Sequence, residues 1–276
     1  MSSFLIDLLK PDKLTHVVDV GANPIDGPAP YQEFLRQKFC SVTGFEPQDD
    51  AREKLIAQKS ELETYLPYAV GDGADANLYV CAYSGFSSLL KPCNKSLNIF
   101  SEFIPNARVL DVKSVQTHRL DEIEELRPFD LLKIDVQGSE LSIFNHGPRH
   151  LKNAVAVHVE VSFIPLYEGQ PVFGVIDLLL RKYGFLPHTF VALKNWKVGP
   201  LARPDSQYKQ CLEADILYIK DLVSPSMSNE QLKQLCIILH CIYGSYDAAG
   251  YCILLLIGRG VLDQSALEIY RNHYLI

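Results

Sequence analysis

Apolar and polar positions follow two alternating patterns along the first 221 residues. Short apolar runs, several with period-two alternation, are typical of strands. They are HVVDV, SVTGF, ETYLPYAV, ANLYVCAY, RVLDVKSVQTH, FDLLKIDV, NAVAVHVEVSF, FLPHTFVAL and EADILYIKD. Between many of them lie segments with helical spacing, namely PYQEFLRQKF, PQDDAREKLIAQKS, RLDEIEELR, SELSIFNHG and FGVIDLLLRKY. This alternation predicts an α/β fold with a mostly parallel, doubly wound sheet. No helix separates the last two runs, so we expect EADILYIKD to enter the sheet antiparallel.

The pattern of residues 222–276 predicts a small helical extension that follows a main domain over residues 1–221. The polar stretch LVSPSMSNEQ is a linker, within which Ser228 and Gln231 form a capping-box pattern at a helix start. Apolar residues then recur at helical spacing: Leu232, Leu235, Cys236, Leu239, Ile242 and Tyr243. No apolar run reaches the ~20 residues of a membrane-spanning helix. We expect the extension to dock on the main domain or to pair with a second copy as a homodimer.

Composition and charge exclude some classes of partner. The chain has 276 residues, 47% of them hydrophobic and 21% charged, which is typical of a globular protein of enzyme size. Its formal net charge of -7 argues against binding to nucleic acid, which requires a dense basic surface. The seven cysteines form no CxxC pair, so reduced, buried thiols are expected. The stretch MSSFLIDLLKPDK lacks the basic region of a signal peptide, so we expect a cytoplasmic location.

Acidic residues stand at the ends of three predicted strands. Asp19 precedes Gly21, and a glycine at this point lets the backbone approach a ligand. Asn23 occupies the second glycine position of the dinucleotide pattern GxGxxG, which counts against NAD and FAD. A carboxylate before the turn suits a cofactor with positive charge, such as S-adenosylmethionine. Glu46 suits ribose hydroxyls, and Asp72 is expected near an adenine amino group.

A series of short motifs resembles one known family. DVGAN, GFEP, AVGDG, SSL, LLKIDVQGSE and HVEVSFIPLYEGQPVFGVIDLLLRKYGF occur in this order within residues 15–220. The series resembles the FkbM-type methyltransferases, a branch of the S-adenosylmethionine-dependent class I methyltransferases. The resemblance implies a seven-stranded, Rossmann-like sheet whose last strand is antiparallel. It also implies methyl transfer, usually to an oxygen of a sugar, a glycan or a small natural product. Carried over by position, the cofactor-binding residues are Asp19, Gly21, Asn23, Glu46, Asp72 and Ser88.

The chemistry is expected at the ends of FDLLKIDV and NAVAVHVEV. Period two places Asp135 last on one face of the first strand, and His158 and Glu160 on one face of the second. Methyl transfer to a hydroxyl needs an aligned acceptor oxygen and a group that takes its proton. We predict that Asp135 organises the acceptor pocket and that Glu160 or His158 is the base. A structural histidine is the alternative for His158. Asp135, Glu160 and a third oxygen donor would also suit Mg²⁺, although the spacing does not require it.

Other functions stay open at this point. Ile25 stands where the family commonly has a second glycine, so the loop over residues 24–30 is expected to differ in shape. A Rossmann-like enzyme that uses NAD or a nucleotide sugar is one alternative, and the absence of GxGxxG counts against it. A non-catalytic scaffold that keeps the fold is another, and the acidic strand ends count against it.

Overall fold

The central sheet joins strands that lie far apart in the sequence. The computed structural model describes residues 2–23, 25, 27–199, 205 and 207–274. Its strands are β1 (Thr15–Val20), β2 (Cys40–Phe45), β3 (Glu63–Leu66), β4 (Ala69–Val70), β5 (Asp75–Cys81), β6 (Val109–His118), β7 (Leu131–Ile134), β8 (Ala156–Ser162), β9 (Phe185–Trp196) and β10 (Gln210–Lys220). The main sheet has seven strands in the order β3-β2-β1-β7-β8-β10-β9. Strand β10 is antiparallel to both of its neighbours, and β1, β2, β3, β7 and β8 are parallel. The predicted mostly parallel sheet with an antiparallel last strand is confirmed.

Part of the predicted strand pattern forms a second, smaller sheet. ETYLPYAV divides at Pro67, so that β3 stays in the main sheet and β4 pairs with β6. Proline has no N–H group and interrupts a ladder of hydrogen bonds. Strands β5 and β6 pair antiparallel, and the small sheet has the order β4-β6-β5. The prediction that ETYLPYAV is one continuous strand is therefore wrong for its second half.

The helices follow most of the predicted segments. They are α1 (Ser2–Leu9), α2 (Gln32–Arg36), α3 (Asp49–Gln58), α4 (Asn94–Ile99), α5 (Glu140–Asn145), α6 (Pro148–Asn153), α7 (Phe173–Lys182), α8 (Asn229–Cys241), α9 (Tyr246–Gly258) and α10 (Ser265–Tyr274). RLDEIEELR is an exception, because it forms only a 3-10 turn over Leu120–Glu122. Its acidic side chains recur three and four positions apart, where like charges destabilise a helix. None of the described helices is long and apolar enough to cross a membrane.

The helical extension covers one half of one face of the main sheet. Residues of α8 and α9 share a hydrophobic core with Val17 of β1 and Ala156 of β8, while α5, α6 and α7 pack on the other face. Ser228 caps α8 with the predicted capping box. Period two puts Asp19 and His158 on the same face as these core residues, but nearer the carboxyl ends of the strands. This face is therefore apolar under the extension and polar beyond it. Pairing of two copies through residues 222–276 stays a prediction, as does the cytoplasmic location.

Candidate active site

The polar half of this sheet face opens into a cavity of about 690 Å³. This volume lies within the roughly 300–1,000 Å³ that is usual for ligand sites. The cavity lies at the carboxyl ends of β1, β2, β7 and β8, where open parallel sheets bind ligands. Residues 27–30 and 83–89 line it from two loops. Of the predicted site residues, all except Asp72 line this one cavity.

The turn after β1 passes very close to the end of β7. Gly21 has a φ of +82°, and a Cβ atom there would lie 2.0 Å from the backbone oxygen of Asp135. No other residue fits this position without a shift of the backbone. Asn23 and Ile25 follow the turn and line the cavity. Pro24 and Asp26 lie outside the described residues, so the predicted difference in loop shape is described only in part.

Asp19 is buried and both of its carboxylate oxygens are bonded by the protein. The hydroxyl of Tyr31 donates to Oδ2 at 2.6 Å, and Nζ of Lys133 lies 3.0 Å from Oδ1. Burial by itself would lower the pKa of Lys133, but the carboxylates of Asp19 and Asp135 outweigh it and the pKa is raised. Asp19 therefore joins the loop after β1 to β7, in addition to lining the cavity.

Glu46 is a buried carboxylate directly after β2. One of its oxygens accepts a hydrogen bond from the backbone N–H of Gln48 at 2.7 Å. Burial raises its pKa from 4.5 to about 7, and the bond from Gln48 opposes this change. A carboxylate at this depth is a strong acceptor for hydroxyl groups of a ligand.

Asp72 and Ser88 differ in their position relative to the cavity. Asp72 lies outside the cavity lining: both residues of β4 line the cavity, whereas Asp72, two residues after β4, is exposed. Its carboxylate accepts bonds from the Ala74 N–H at 2.9 Å and from the Thr117 hydroxyl at 3.2 Å. The bond from Ala74 and the Thr117 hydroxyl lower its pKa. The role of Asp72 near an adenine stays a prediction, and its position outside the cavity lining does not favour it. Ser88 lines the cavity, and its hydroxyl donates to the backbone oxygen of Gln137 at 2.7 Å.

Gln137 connects the two predicted catalytic carboxylates. Its Nε2 donates to Oδ1 of Asp135 at 2.8 Å and to Oε2 of Glu160 at 2.9 Å. Its Oε1 accepts a hydrogen bond from the Tyr167 hydroxyl at 3.0 Å. The φ of Gln137 is +57°, which is uncommon for a residue other than glycine and marks a strained turn. Sequence reasoning missed Gln137, although its place directly before Gly138 at a strand end was a usable signal.

Lys194 provides a positive charge at the same end of the cavity. Its Nζ bonds to Oε1 of Glu160 and lies 3.7 Å from Oδ2 of Asp215. Burial, with a further contribution from Asp135, raises the pKa of Glu160 well above its ordinary value, and Lys194 opposes this. The ammonium group of Lys194 bonds directly to Glu160, one of the two carboxylates named for Mg²⁺. Among the described residues there is no group of three or more His, Cys, Asp or Glu side chains that could hold a metal. The Mg²⁺ expectation is therefore unsupported.

His158 is buried on β8 and lines the cavity. Its Nδ1 lies 3.0 Å from the hydroxyl of Tyr243, a residue of the helical extension that sequence reasoning had assigned only to an apolar helix face. Burial lowers the pKa of His158 to about 4, and the positive charge of Lys133 contributes to this. The imidazole is therefore neutral at pH 7.

Comparison with known proteins identifies the family. The chain matches the Methyltransferase FkbM domain over residues 19–187, which is more than half of its 276 residues. It is similar to the solved structure of a putative methyltransferase from Thermoplasma acidophilum, with 10% identity, a TM-score of 0.38, and coverage of 75% of this chain and 69% of that chain. It is also similar to the magnesium protoporphyrin IX methyltransferase from Synechocystis PCC 6803, with 11% identity, a TM-score of 0.38, and coverage of 80% and 76%. No match was found among curated proteins. On the domain match, the chain belongs to the FkbM family of methyltransferases, the S-adenosylmethionine-dependent branch that its motifs resemble.

Proposed function

We propose that this protein transfers a methyl group from S-adenosylmethionine to a hydroxyl oxygen of a sugar, a glycan or a small natural product. One observation carries the proposal. The glycine turn after β1, the buried Glu46, and the linked pair Asp135 and Glu160 all line a single cavity. A donor and an acceptor bound in one cavity can be held in the alignment that an in-line displacement needs.

The donor side of this cavity suits S-adenosylmethionine. Glu46 would accept hydrogen bonds from ribose hydroxyls, and the backbone after Gly21 would lie along the amino acid part. Asp135 would offset the positive charge of the cofactor, because Asp19 is already paired with Lys133. Tyr68, with the two residues that follow it, lines the side beyond Glu46 and would contact the base. When bound, S-adenosylmethionine supplies an electrophilic methyl group on a sulfonium.

The acceptor side combines aromatic side chains with carboxylates. Phe103 and Trp196 both line the cavity, and their rings meet edge to face with centroids 4.5 Å apart. Glu213 and Asp215 of β10 line it as well. Aromatic faces are partly negative and attract the C–H groups of a sugar ring, while carboxylates accept hydrogen bonds from hydroxyl groups. This combination favours an acceptor with several hydroxyl groups.

Asp135 is the group that we assign to the acceptor proton. Gln137 bonds to one oxygen of Asp135 and one oxygen of Glu160, and Lys194 bonds to the other oxygen of Glu160. Among the described residues, no group donates to Oδ2 of Asp135. This oxygen is therefore available to accept a hydroxyl proton while the acceptor oxygen attacks the methyl carbon. Glu160, which is bonded by Lys194, would orient the acceptor through Gln137.

The test separates the cofactor from the chemistry. Calorimetric titration with S-adenosylhomocysteine is compared with a parallel titration with NAD. Micromolar binding of the first compound and none of the second is expected. Binding of NAD instead would support the Rossmann-like alternative, and binding of neither would support the scaffold alternative.

Acceptors are then screened with isotope-labelled S-adenosylmethionine and a panel of monosaccharides, oligosaccharides and hydroxylated natural products. Product NMR distinguishes an O-methyl ether from an N-methyl group. Asp135→Asn should keep the affinity for S-adenosylhomocysteine and lose methyl transfer, whereas Asp75→Asn, at an exposed position of β5, should keep both. Full activity of Asp135→Asn would contradict the assignment of the proton acceptor.

A further inference from the structure

The turn between α8 and α9 reaches the polar half of the sheet face. Gly244 has a φ of +63°, which reverses the chain there. The hydroxyl of Ser245 lies 2.8 Å from Nε2 of His188 on β9. The hydroxyl of Tyr243 lies 3.0 Å from Nδ1 of His158 on β8. The turn is therefore docked on the sheet by two polar contacts, one of which involves a residue that lines the cavity.

We propose that Tyr243 is a positioning residue whose hydroxyl donates to Nδ1 of His158 and so fixes the ring form in which Nε2 carries the hydrogen. In this form Nε2–H donates a hydrogen bond to an oxygen of the bound acceptor. The part of the inference that concerns the acceptor rests on the proposed function. The direction of the hydrogen bond is a property of the protein alone.

The direction of the hydrogen bond follows from the donors and acceptors that the two side chains offer. Burial raises the pKa of Tyr243, so the phenol keeps its proton. In the part of the chain that the structure describes, Nδ1 of His158 is the one hydrogen-bond partner of this hydroxyl. If Nδ1–H were the donor, the phenol proton of this partly buried residue would have no acceptor among the described residues, and an unmade bond of this kind is costly. The phenol is therefore the donor, and Nδ1 is the acceptor.

The hydrogen bond to Nδ1 also determines whether the other ring nitrogen, Nε2, carries a hydrogen. A neutral histidine has one donor nitrogen and one acceptor nitrogen, and the bond to one of them fixes the other. With Nδ1 as acceptor, Nε2 is a donor and is not available as a base. This conclusion gives His158 a binding role and leaves the acceptor proton to Asp135. It replaces the prediction that His158 is a base.

The inference also gives the helical extension a part in the site. Tyr243 lies beyond the residues that match the FkbM domain, which end at residue 187. The extension fills the apolar half of the sheet face, and its turn between α8 and α9 contacts the polar half. Its packing therefore determines where the hydroxyl of Tyr243 stands relative to β8.

The test observes the ring nitrogens of His158 directly. The full chain is prepared with isotope-labelled histidine and studied near neutral pH by long-range proton–nitrogen correlation NMR. The chain has eight histidines, and the signals of His158 are assigned by their loss in His158→Gln. In the wild type, Nε2 should be protonated and Nδ1 unprotonated. In Tyr243→Phe, both nitrogen signals should shift toward each other, as in a mixture of the two ring forms.

A matched control is available inside the extension. Tyr270→Phe removes a hydroxyl that lies 2.9 Å from Nδ1 of His240, and it should leave the signals of His158 unchanged. All variants are also titrated with S-adenosylhomocysteine, and both tyrosine variants should bind it like the wild type. If neither the wild type nor any variant binds S-adenosylhomocysteine, the proposed function is refuted, but the result on the hydrogen bond is unaffected.

Three results would overturn the inference. The first is a proton on Nδ1 in the wild type, which decides the matter even if Tyr243→Phe does not fold. The second is an unchanged spectrum of His158 in Tyr243→Phe. The third is an equal shift in Tyr270→Phe, which would mean that a general change in the extension, rather than the hydroxyl of Tyr243, acts on His158.

Discussion

Neutralising Glu46 should stabilise the fold and weaken cofactor binding at the same time. The side chain is 3% exposed, and burial raises its pKa from 4.5 to about 7. At ~1.36 kcal/mol for each pH unit, this change corresponds to roughly 3 kcal/mol of unfavourable charge burial at high pH. Glu46→Gln removes the charge, keeps the shape, and keeps an oxygen that can accept the bond from Gln48 N–H.

The sign of the pH dependence follows from the raised pKa. Between pH 4.5 and about 7, Glu46 is more often protonated in the folded state than in the unfolded state. Its contribution to the free energy of unfolding is therefore largest below pH 4.5 and is lost as the pH rises through about 7. Glu46→Gln has no ionisable group at this position, so its free energy of unfolding does not fall in this way as the pH rises. Its advantage over the wild type should be small at about pH 5 and should approach roughly 3 kcal/mol at about pH 8. At about 2–4 °C for each kcal/mol, the melting temperature at the higher pH should rise by roughly 6–12 °C.

The assay is urea unfolding of the wild type and Glu46→Gln at these two pH values, with Glu53→Gln as a control on the exposed side of α3. Calorimetry with S-adenosylhomocysteine should show an affinity at least about tenfold lower for Glu46→Gln, since a loss of ~1.4 kcal/mol has this effect. Equal stability of the two proteins at both pH values would refute the argument from charge burial. A stabilised variant with unchanged affinity would refute the role of Glu46 at the ribose.

Two further variants test the turn after β1 and the start of the extension. Gly21→Ala places a Cβ atom 2.0 Å from the backbone oxygen of Asp135. Scanning calorimetry should therefore show a free energy of unfolding lower by about 1–3 kcal/mol, and S-adenosylhomocysteine binding should be lost. An unchanged melting temperature would contradict the close approach. Ser228→Ala removes the side-chain oxygen that accepts a hydrogen bond from the N–H of Gln231 at 3.1 Å. Thermal unfolding should show a free energy of unfolding lower by about 1 kcal/mol. No change in stability would mean that this cap does not stabilise the docked extension.

The sequence determined the features that depend on neighbours along the chain. The spacing of apolar residues predicted most of the strands and helices, because burial of one face imposes its period on the sequence. The absence of a helix before EADILYIKD predicted the antiparallel β10. Ser228 and Gln231 predicted the start of α8, since a capping box is a contact within one turn. The ordered motifs from DVGAN to LLKIDVQGSE and HVEVSFIPLYEGQPVFGVIDLLLRKYGF were sufficient to indicate the family.

Where sequence reasoning failed, the missing information was which strands meet. The sequence predicted ETYLPYAV as one strand, and only the structure shows that its second half, β4, pairs in the small sheet and that Asp72 follows it outside the cavity lining. Gln137 could be seen at a strand end, but its bonds to Asp135 and Glu160 depend on the distance between β7 and β8.

Only the tertiary structure decided how the polar residues of the site act on one another. Period two assigns Asp19, Lys133 and His158 to faces of their own strands, but the register that sets them side by side on β1, β7 and β8 belongs to the sheet. The contact of Tyr243 with His158 spans 85 residues of sequence. Local patterns contain the period of each element and the geometry of its ends. They do not contain the crossovers and packing that bring distant elements together, and the pKa of each buried group depends on those neighbours.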